Sequence, residues 1–353
     1  MHTIQPGSKV LVTGANGYIS VWLIETLLEQ GYQVRGTVRS LERSSFLRNT
    51  FKSYVDKLEL VAVEDITQDG AFDEAVKGMN AIVHLASPVT PNADDPKDII
   101  DPAKKGTTGI LKSALHHAPD CRRIIIVSSL AAVFHDTDKP IKIDDKDWNT
   151  EAIERVDDLG RNASGFDKYA AAKTLAEKAA WEFYENHKAQ AKWDMVFIHP
   201  PYVFGPTLVP HSSPSELNMS LKYWYDAVVD REGSQKSLME PSKPWVDVRD
   251  LAKAIAKALV VEGAGDERIL VIAGRPSVWQ TWLDTVNNLS PSPIPSHAPG
   301  TDKALPKGSA EGKNAPHLID YDTSIAENVL GLKYISMEES ARDTLADFER
   351  RGW

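Results

Sequence analysis

Cysteine is almost absent from this sequence, because its 353 residues contain only Cys121. A single thiol cannot form an intramolecular disulfide, and this usage fits a reducing compartment such as the cytoplasm. Long apolar runs are also lacking, since no stretch approaches the roughly 20 apolar residues that span a bilayer. The first ten residues, MHTIQPGSKV, do not contain the apolar segment of a secretory signal. We therefore expect a cytoplasmic protein with no membrane partner.

Basic residues are fewer than acidic ones in this sequence. Lys and Arg number 40 against 50 Asp and Glu, which gives a formal net charge of −10, so a nucleic-acid partner is not expected. The ten His show no metal-ligand spacing such as H-E-x-x-H, and no metal site is predicted. The remaining composition is that of an ordinary globular protein, 42% hydrophobic and 25% charged. The length allows one large α/β unit with a smaller lobe, or two domains.

Short β-rich segments alternate with helical ones through the first 200 residues. Strands are predicted at 9–14, 33–39, 58–63, 81–87, 122–129 and 194–200, and helices at 20–30, 106–118 and 168–190. Continuous Val, Ile and Leu runs indicate strands that are buried on both faces. Strands joined by single helices indicate right-handed βαβ units. The predicted fold is α/β, a doubly wound parallel (Rossmann) sheet that binds ligands beyond the carboxyl ends of its strands.

The segment VLVTGANGYIS follows the first predicted strand and opens a helix. Gly14 permits a tight turn there, and Gly17 lets a pyrophosphate approach the N–H groups at the start of the helix. The third fingerprint position is Ser20, which is small enough for close packing of helix on strand. A glycine turn in this context predicts a dinucleotide cofactor.

The end of the second strand, GTVRS, favours NADP over NAD. NAD sites place an acid there for the ribose 2′-hydroxyl, whereas this chain has Arg39, with Arg43 one helical turn further on. The guanidinium fork of Arg matches the geometry of a 2′-phosphate. Asp65, after the third strand, is placed to contact the adenine edge, and it equally suits a helix cap or a turn.

Beyond residue 200 the composition changes, with aromatics concentrated at 220–229. A strand–helix–strand pattern begins at about 245 and is expected to continue the parent sheet. Residues 290–315 are rich in Pro, Gly and Ser and predict a loop. We predict an NADP-binding domain from residues 1–200 plus about 245–275, and a smaller, interleaved substrate-binding lobe from 201–244 and 276–353.

The pattern Tyr-x-x-x-Lys occurs twice, as Tyr169 with Lys173 and as Tyr184 with Lys188. Composition alone predicts about one chance match, so position must distinguish the pairs. Tyr169 falls in the first turn of its predicted helix, at the carboxyl edge of the sheet, and Tyr184 lies roughly 22 Å further along the axis. A buried strand also ends at the carboxyl edge, with Ser128 and Ser129. The site is therefore predicted around Tyr169.

These residue types suit reduction of a carbonyl group. Delivery of hydride leaves an alkoxide that a phenol can protonate, but a free Tyr has a pKa near 10. The ammonium group of Lys173 favours the phenolate of Tyr169 and brings its pKa toward the working range. A serine hydroxyl donates to the substrate oxygen and holds it in place.

The segments TGANGYIS, VSSLAAVF and HPPYVFGP, together with Tyr169 and Lys173, resemble the extended short-chain dehydrogenase/reductases. Among these the chain is most similar to fungal and yeast NADPH-dependent ketoreductases, carbonyl (aldehyde) reductases and methylglyoxal reductases, near the dihydroflavonol 4-reductases. The resemblance implies NADPH-dependent reduction of ketones and aldehydes, with Ser129 holding the carbonyl oxygen and Ser128 as the alternative. Tyr169 is then the proton donor and Lys173 the ribose anchor. Lys105 stands where many relatives carry Asn, so no proton relay is assigned.

The complete predicted cofactor site comprises Gly14, Asn16, Gly17, Tyr18, Ile19, Arg39, Asp65, Ile66, Ala86, Ser87, Pro88, Tyr169, Lys173, Pro200 and Val203. The resemblance also implies a substrate pocket, formed by Val89, Leu130, Phe134, Phe166, Tyr202, Tyr223 and Trp224. An apolar pocket with one polar anchor suits a bulky or aromatic carbonyl compound. The expected assembly is a monomer or a homodimer.

Two alternatives remain open. An epimerase or dehydratase of nucleotide sugars would share the fold and hold NAD tightly, but Arg39 and the few cations of the second lobe disfavour it. A regulator that senses NADP without turnover would not need the Tyr169 and Lys173 pair.

Overall fold

The computed structural model describes residues 3–87 and 93–353. Its strands are β1 (Lys9–Thr13), β2 (Gln33–Val38), β3 (Leu58–Ala62), β4 (Ala81–His84), β5 (Arg123–Val127), β6 (Ile141–Ile143), β7 (Asp194–His199), β8 (Tyr202–Phe204), β9 (Trp245–Asp247), β10 (Arg268–Leu270) and β11 (Ile319–Tyr321). Its α-helices are α1 (Tyr18–Glu29), α2 (Phe46–Thr50), α3 (Lys97–His117), α4 (Thr150–Leu159), α5 (Gly165–His187), α6 (Met219–Val228), α7 (Arg231–Ser237), α8 (Val248–Ala258), α9 (Trp279–Asn288), α10 (Ser324–Asn328) and α11 (Met337–Arg351).

Seven of these strands form one parallel sheet in the order β10-β7-β5-β4-β1-β2-β3. From β1 the chain first builds outward through β2 and β3, and it then returns to place β4 on the other side of β1. The strand order therefore reverses between β1 and β4, and the crevice at such a reversal is where this kind of sheet binds ligands. The predicted doubly wound parallel sheet is confirmed.

The strands alternate their side chains between two separate cores. On β1, Val10 and Val12 belong to the core shared with α1 and α8, whereas Leu11 belongs to the core shared with α3 and α5. Every residue of β5 and β7 is buried, as expected for strands covered by helices on both faces. This burial explains why their sequences, RIIIV and DMVFIH, are almost continuously apolar.

Two smaller parallel pairs lie outside the main sheet: β8 with β9, and β6 with β11. The strand at 245 was expected to continue the parent sheet, but β9 pairs with β8, and the sheet gains its next strand only at β10. Helices α6, α9 and α11 enclose an aromatic core in which Trp224, Trp282 and Phe348 are buried. This aromatic core is continuous with the core that β1 shares with α1 and α8.

Helices α1, α3 and α5 begin earlier than the sequence predicts, α1 by two residues at Tyr18. Helix α3 starts at Lys97 and contains Pro102, and α5 starts at Gly165 behind the N-cap Ser164. Within residues 3–87 and 93–353, no helix is both long enough and apolar enough to cross a bilayer. In the same ranges, no cluster of three or more His, Cys, Asp or Glu side chains is arranged to hold a metal ion.

Candidate active site

The glycine turn between β1 and α1 lies against the end of β4. Gly14 has a positive φ of +65°, and a Cβ atom at this position would lie 3.2 Å from the Cα of Ala86. The hydroxyl of Thr13 accepts hydrogen bonds from the N–H groups of Leu85 and Ala86, each at 3.0 Å. Glycine is required here because the two strand ends approach so closely.

The start of α1 is open to an anion. Gly17 is the N-cap and supplies no side chain to satisfy the first N–H groups of the helix, which suits a phosphate. Asn16 and Ile19 lie half-buried beside it. Tyr18 is different, because its ring is 8% exposed and its hydroxyl donates to the carbonyl oxygen of Gly205 at 2.8 Å. Burial raises the pKa of Tyr18, and its side chain belongs to the core.

Gly36 on β2 is a site residue that the sequence analysis missed. A Cβ atom at Gly36 would lie 2.7 Å from the Cβ of Ala15 in the glycine turn and 3.0 Å from Leu60. The N–H of Ala15 donates to the carbonyl oxygen of Thr37 at 2.9 Å, so the turn rests directly on β2. The available signal was a lone glycine inside a strand, which often marks a close backbone approach.

The predicted 2′-phosphate residues lie on the surface just beyond β2. Arg39 and Arg43 are both exposed, and in the described ranges neither forms an ion pair. Asp65 closes a local turn, since its Oδ1 accepts from the N–H of Thr67 at 2.9 Å and from its hydroxyl at 2.7 Å. These hydrogen bonds lower the pKa of Asp65. Ile66 packs toward Gly106 of α3.

Tyr169 and Lys173 project from the first turns of α5. The hydroxyl of Ser164 caps this helix by accepting from the N–H of Asp167 at 3.0 Å, which sets where the helix begins. Both site side chains are half-buried, and the Nζ of Lys173 lies 6.0 Å from the ring centroid of Tyr169. Lys173 also donates to the hydroxyl of Ser87, just beyond β4, at 3.4 Å.

The second Tyr-x-x-x-Lys pair lies near the starts of β7 and β10, at the opposite edge of the sheet. Tyr184 is 3% exposed, its ring stacks on Trp193 at 5.2 Å, and Lys188 lies 5.0 Å from its centroid. Burial, together with a hydrogen bond to Asp266, raises the pKa of Tyr184. Tyr184 is therefore part of the core, whereas Lys188 is exposed.

The two serines that follow β5 have different environments. Ser128 is 8% exposed and its hydroxyl donates to Glu177 Oε2 at 2.9 Å, so its proton is already used inside the protein. Ser129 is half-buried, and its oxygen accepts from the N–H of Ala131 at 3.2 Å, which leaves its hydroxyl proton available to a substrate. Leu130 N–H donates to the carbonyl oxygen of Pro200 at 2.9 Å.

The predicted substrate residues separate into two groups. Phe134 and Phe166 meet edge to face at 5.7 Å, and Tyr202 and Tyr223 lie 5.2 Å apart, all with some exposure. Burial raises the pKa of Tyr202, and the nearby Glu240 and Tyr169 add to that effect. The other group lies in the hydrophobic core: Leu130 is 5% exposed and Trp224 is 0% exposed. The predicted cofactor residue Val203 is also in the core, at 4% exposure.

Trp224 is the clearest correction. It packs edge to face on Trp282 at 5.7 Å and against Phe348 at 6.1 Å, so the structure places it in the hydrophobic core and not on the wall of a pocket. Pro88 and Val89 lie outside the described residues.

Beside the glycine turn lies a histidine, His84, that is not among the predicted site residues. His84 is 3% exposed, its Nδ1 lies 3.0 Å from the hydroxyl of Thr13, and burial with the nearby charge of Lys173 lowers its pKa to about 3. Lys105 is exposed, and its charge contributes to the lowered pKa of Asp65. A small internal cavity is lined by His84, Ser87, Thr107, Ser128, Lys173 and Glu177, among others.

Comparison with known proteins agrees with this geometry. The model of the NAD dependent epimerase/dehydratase family matches residues 10–273. The chain is 31% identical to ketoreductase azaE of Aspergillus niger, over 96% of each chain. It is 30% identical to the NADPH-dependent methylglyoxal reductase GRE2 of Saccharomyces cerevisiae, over 95% of this chain and 96% of that one.

A solved structure extends the likeness to three dimensions. The yeast methylglyoxal/isovaleraldehyde reductase Gre2, complexed with NADPH, superposes with a TM-score of 0.79 at 27% identity, covering 98% of this chain and 99% of that chain. The predicted resemblance is confirmed: the chain belongs to the NAD dependent epimerase/dehydratase family and, within it, to the extended short-chain dehydrogenase/reductases.

Proposed function

We propose that this protein is an NADPH-dependent reductase that converts ketones or aldehydes to alcohols. The observation that carries the proposal is the placement of Tyr169 and Lys173 on the first turns of α5, with Lys173 donating to Ser87 beyond β4 and with Ser129 following β5. The relatives named as NADPH-dependent reductases support both the reaction and the cofactor.

The glycine turn fits a dinucleotide, because Gly14 leaves no side chain in the gap beside Ala86 and Gly17 leaves the first N–H groups of α1 available. Lys173, already within reach of Ser87, holds the ribose. Arg39 and Arg43, exposed beyond β2, hold the 2′-phosphate and select NADP. When bound, NADPH supplies the hydride.

Residues of the chain bind the carbonyl oxygen of the substrate and protonate it. The hydroxyl of Ser129 donates to this oxygen and fixes its position. Tyr169 then gives its phenolic proton to the oxygen as negative charge develops there. The ammonium group of Lys173, at 6.0 Å from the Tyr169 ring, stabilises the phenolate that remains.

The substrate is proposed to be bulky or aromatic. Four aromatic rings with some exposure support this, and they form two contacting pairs: Phe134 with Phe166, and Tyr202 with Tyr223. Aromatic walls bind large apolar faces and leave Ser129 and Tyr169 as the polar anchors. We further propose a cytoplasmic location and a monomeric or homodimeric state.

The test is to mix the purified protein with NADPH and a panel of aryl ketones, α-keto esters and aldehydes, and to follow the absorbance of the cofactor. Oxidation of NADPH with at least one member is expected, and NADH should be much poorer. Folded protein that oxidises NADPH with no member would contradict the proposal.

The same preparation separates the two alternatives. A nucleotide-sugar epimerase or dehydratase would copurify with NAD and turn over a sugar nucleotide without net change of cofactor. A redox-sensing regulator would bind NADPH and turn over nothing in the panel.

A further inference from the structure

Four polar side chains form one hydrogen-bonded cluster beneath the site, which we call the Glu177 cluster: Ser128, Glu177, His199 and Arg268. Glu177, at 1% exposure, is its centre. Its Oε2 accepts from the hydroxyl of Ser128 at 2.9 Å and from Nε2 of His199 at 2.7 Å. Its Oε1 accepts from Nε of Arg268 at 2.7 Å.

The cluster connects the elements that carry the proposed chemistry. Glu177 is on α5, one turn beyond Lys173 and two turns beyond Tyr169. Ser128 follows β5, and His199 is the last residue of β7. One carboxylate therefore links the helix that holds the proton donor to the strand ends that hold the carbonyl-binding serine.

Ser129 is held from both sides by this arrangement. The N–H of Ser128 donates to the carbonyl oxygen of Ile198 at 2.9 Å, and the N–H of Leu130 donates to that of Pro200 at 2.9 Å. These two bonds fix Ser129 relative to β7. The remaining link, from the Ser128 hydroxyl to Glu177, fixes the same segment relative to α5.

The cluster is charged in the folded protein. Burial alone would raise the pKa of Glu177, but the hydrogen bonds and charges of His199 and Arg268 lower it to about 2. Arg268 is held in turn, since its guanidinium lies 3.8 Å from the ring centroid of Trp148 and donates to the carbonyl oxygen of Asp147 at 2.8 Å. A buried pair with several such contacts has one preferred geometry.

We propose that Glu177 is a positioning residue for carbonyl reduction: through Ser128 it sets where the hydroxyl of Ser129 stands relative to Tyr169. The inference rests on the proposed reductase function. Glu177 contacts neither of the reacting groups, and it acts by holding α5 and the β5 end at one separation. Misplacement of a reacting group by about 1 Å can lower a rate by about 100-fold.

The chain contains a matched control at the other edge of the same strands. Arg123 begins β5 and Asp194 begins β7, and they form a buried bidentate pair with both N–O distances at 2.7 Å. This pair resembles that of Glu177 and Arg268 in chemistry and burial, but it lies beside Tyr184, away from the proposed site. Breaking it tests the effect of a lost buried ion pair on the fold alone.

The experiment compares Glu177→Gln with Asp194→Asn in the full-length protein. Each change keeps the side-chain size and leaves an arginine buried without its counter-charge, so both variants should lose melting temperature. Glu177→Gln is expected to lower kcat by about 10- to 100-fold while the Kd for NADPH stays at the wild-type value. Its deuterium isotope effect with 4-deuterated NADPH should rise, because the chemical step becomes slower. Asp194→Asn should keep the wild-type kcat and isotope effect.

Ser128→Ala provides a second test that leaves the buried ion pair intact. It tests the role of Glu177 on its own if Glu177→Gln does not fold. It removes only the link to the carboxylate, and we expect kcat to fall by about tenfold with little change in melting temperature. Where both variants fold, the loss in the double variant should be smaller than the product of the single losses. A wild-type protein that reduces no carbonyl compound would remove the proposed function itself. An active wild type with unchanged kcat in Ser128→Ala, or with equal kcat losses in Glu177→Gln and Asp194→Asn, would overturn the role of Glu177.

Discussion

At the residue scale, the same four-residue spacing has two different meanings in this chain. Tyr169 is half-buried beside Lys173 at the carboxyl edge of the sheet, whereas Tyr184 is enclosed by Trp193 and the starts of two strands. In both pairs the ammonium group of the lysine also lies near the ring of its tyrosine. Only placement within the fold distinguishes a proton donor from a core residue.

Replacement of Tyr169 by Phe removes the proton donor and keeps the ring. We expect kcat to fall by about 100- to 10,000-fold, the usual contribution of a general acid, with little change in the Kd for NADPH. Tyr184→Phe should retain wild-type turnover and lose about 1 kcal/mol of stability, because it deletes one buried hydrogen bond. Steady-state kinetics and thermal melting measure the two effects. Similar turnover in the two variants would show that the wrong tyrosine had been chosen.

The choice of cofactor is also a property of single residues. Arg39→Ala should weaken NADPH binding by about tenfold or more, because a guanidinium that grips a phosphate makes charge-assisted hydrogen bonds. NADH, which lacks the 2′-phosphate, should bind as before. Arg122→Ala removes an equal charge from the surface at the amino edge of β5 and serves as the control. Titration calorimetry measures the Kd of each variant for NADPH and for NADH. If Arg39→Ala weakens the binding of both nucleotides equally, Arg39 does not recognise the 2′-phosphate.

Sequence patterns predicted the residues whose role depends on local context and missed those whose partners are distant. The glycine turn and the Tyr169 pair are readable because strand, turn and helix are contiguous. Glu177 gave no signal, because its partner Arg268 is 91 residues away and only the folded sheet brings the two together. Trp224 was assigned to the pocket through the family resemblance, and residue type alone does not distinguish an aromatic in the core from one that lines a pocket.

At the element scale, the contact between β2 and the glycine turn determines whether the cofactor site can form. Gly36→Ala would place a methyl group 2.7 Å from the Cβ of Ala15. Because this contact is far too close, we expect the turn to shift, with a loss of about 1–3 kcal/mol of stability and weaker NADPH binding. Gly109→Ala on α3, where the nearest atom is 3.8 Å away, is the matched control and should be neutral or stabilising.

Melting temperatures and NADPH titrations of both glycine variants test this contact. A Gly36→Ala variant that binds NADPH as tightly as the Gly109→Ala variant would show that β2 does not support the turn.

The elements that sequence predicted best are those buried on both faces. Strands β5 and β7 are almost continuous apolar runs, and each was located to within a residue or two. Helix α4 was missed, since TEAIERVDDL is mostly polar and buries only Ala152 and Val156. The pairing of β6 with β11 was also missed, because two three-residue strands far apart in sequence carry no periodic pattern.

At the scale of the whole molecule, buried titratable groups couple the fold to pH. Burial lowers the pKa of His84 to about 3, and it also lowers the pKa values of His211 and His297. Well above pH 6.5, the ordinary pKa of His, these rings are neutral in both the folded and the unfolded chain. As the pH falls below that value, the unfolded chain binds protons that the folded protein does not, so the free energy of unfolding decreases. Glu177 adds a later loss, between about pH 4.5 and 2, as its pairing with Arg268 is neutralised.

His84→Asn isolates the largest of these histidine effects. Asn retains an acceptor for the hydroxyl of Thr13 but does not titrate, so the variant should lose stability less steeply than the wild type as the pH falls from 6.5 to 5. The difference between the two curves should reach about 2 kcal/mol over that interval, since each pH unit contributes up to about 1.4 kcal/mol. Denaturant unfolding at several pH values measures it, with the exposed His116→Asn on α3 as the control. The comparison uses the slope of the free energy of unfolding against pH. The absolute free energy is not compared, because the smaller Asn side chain leaves a cavity at every pH. If stability falls equally with pH in His84→Asn and in the wild type, His84 binds its proton in the folded protein as readily as in the unfolded chain. The pKa of His84 would then not be lowered by burial and Lys173.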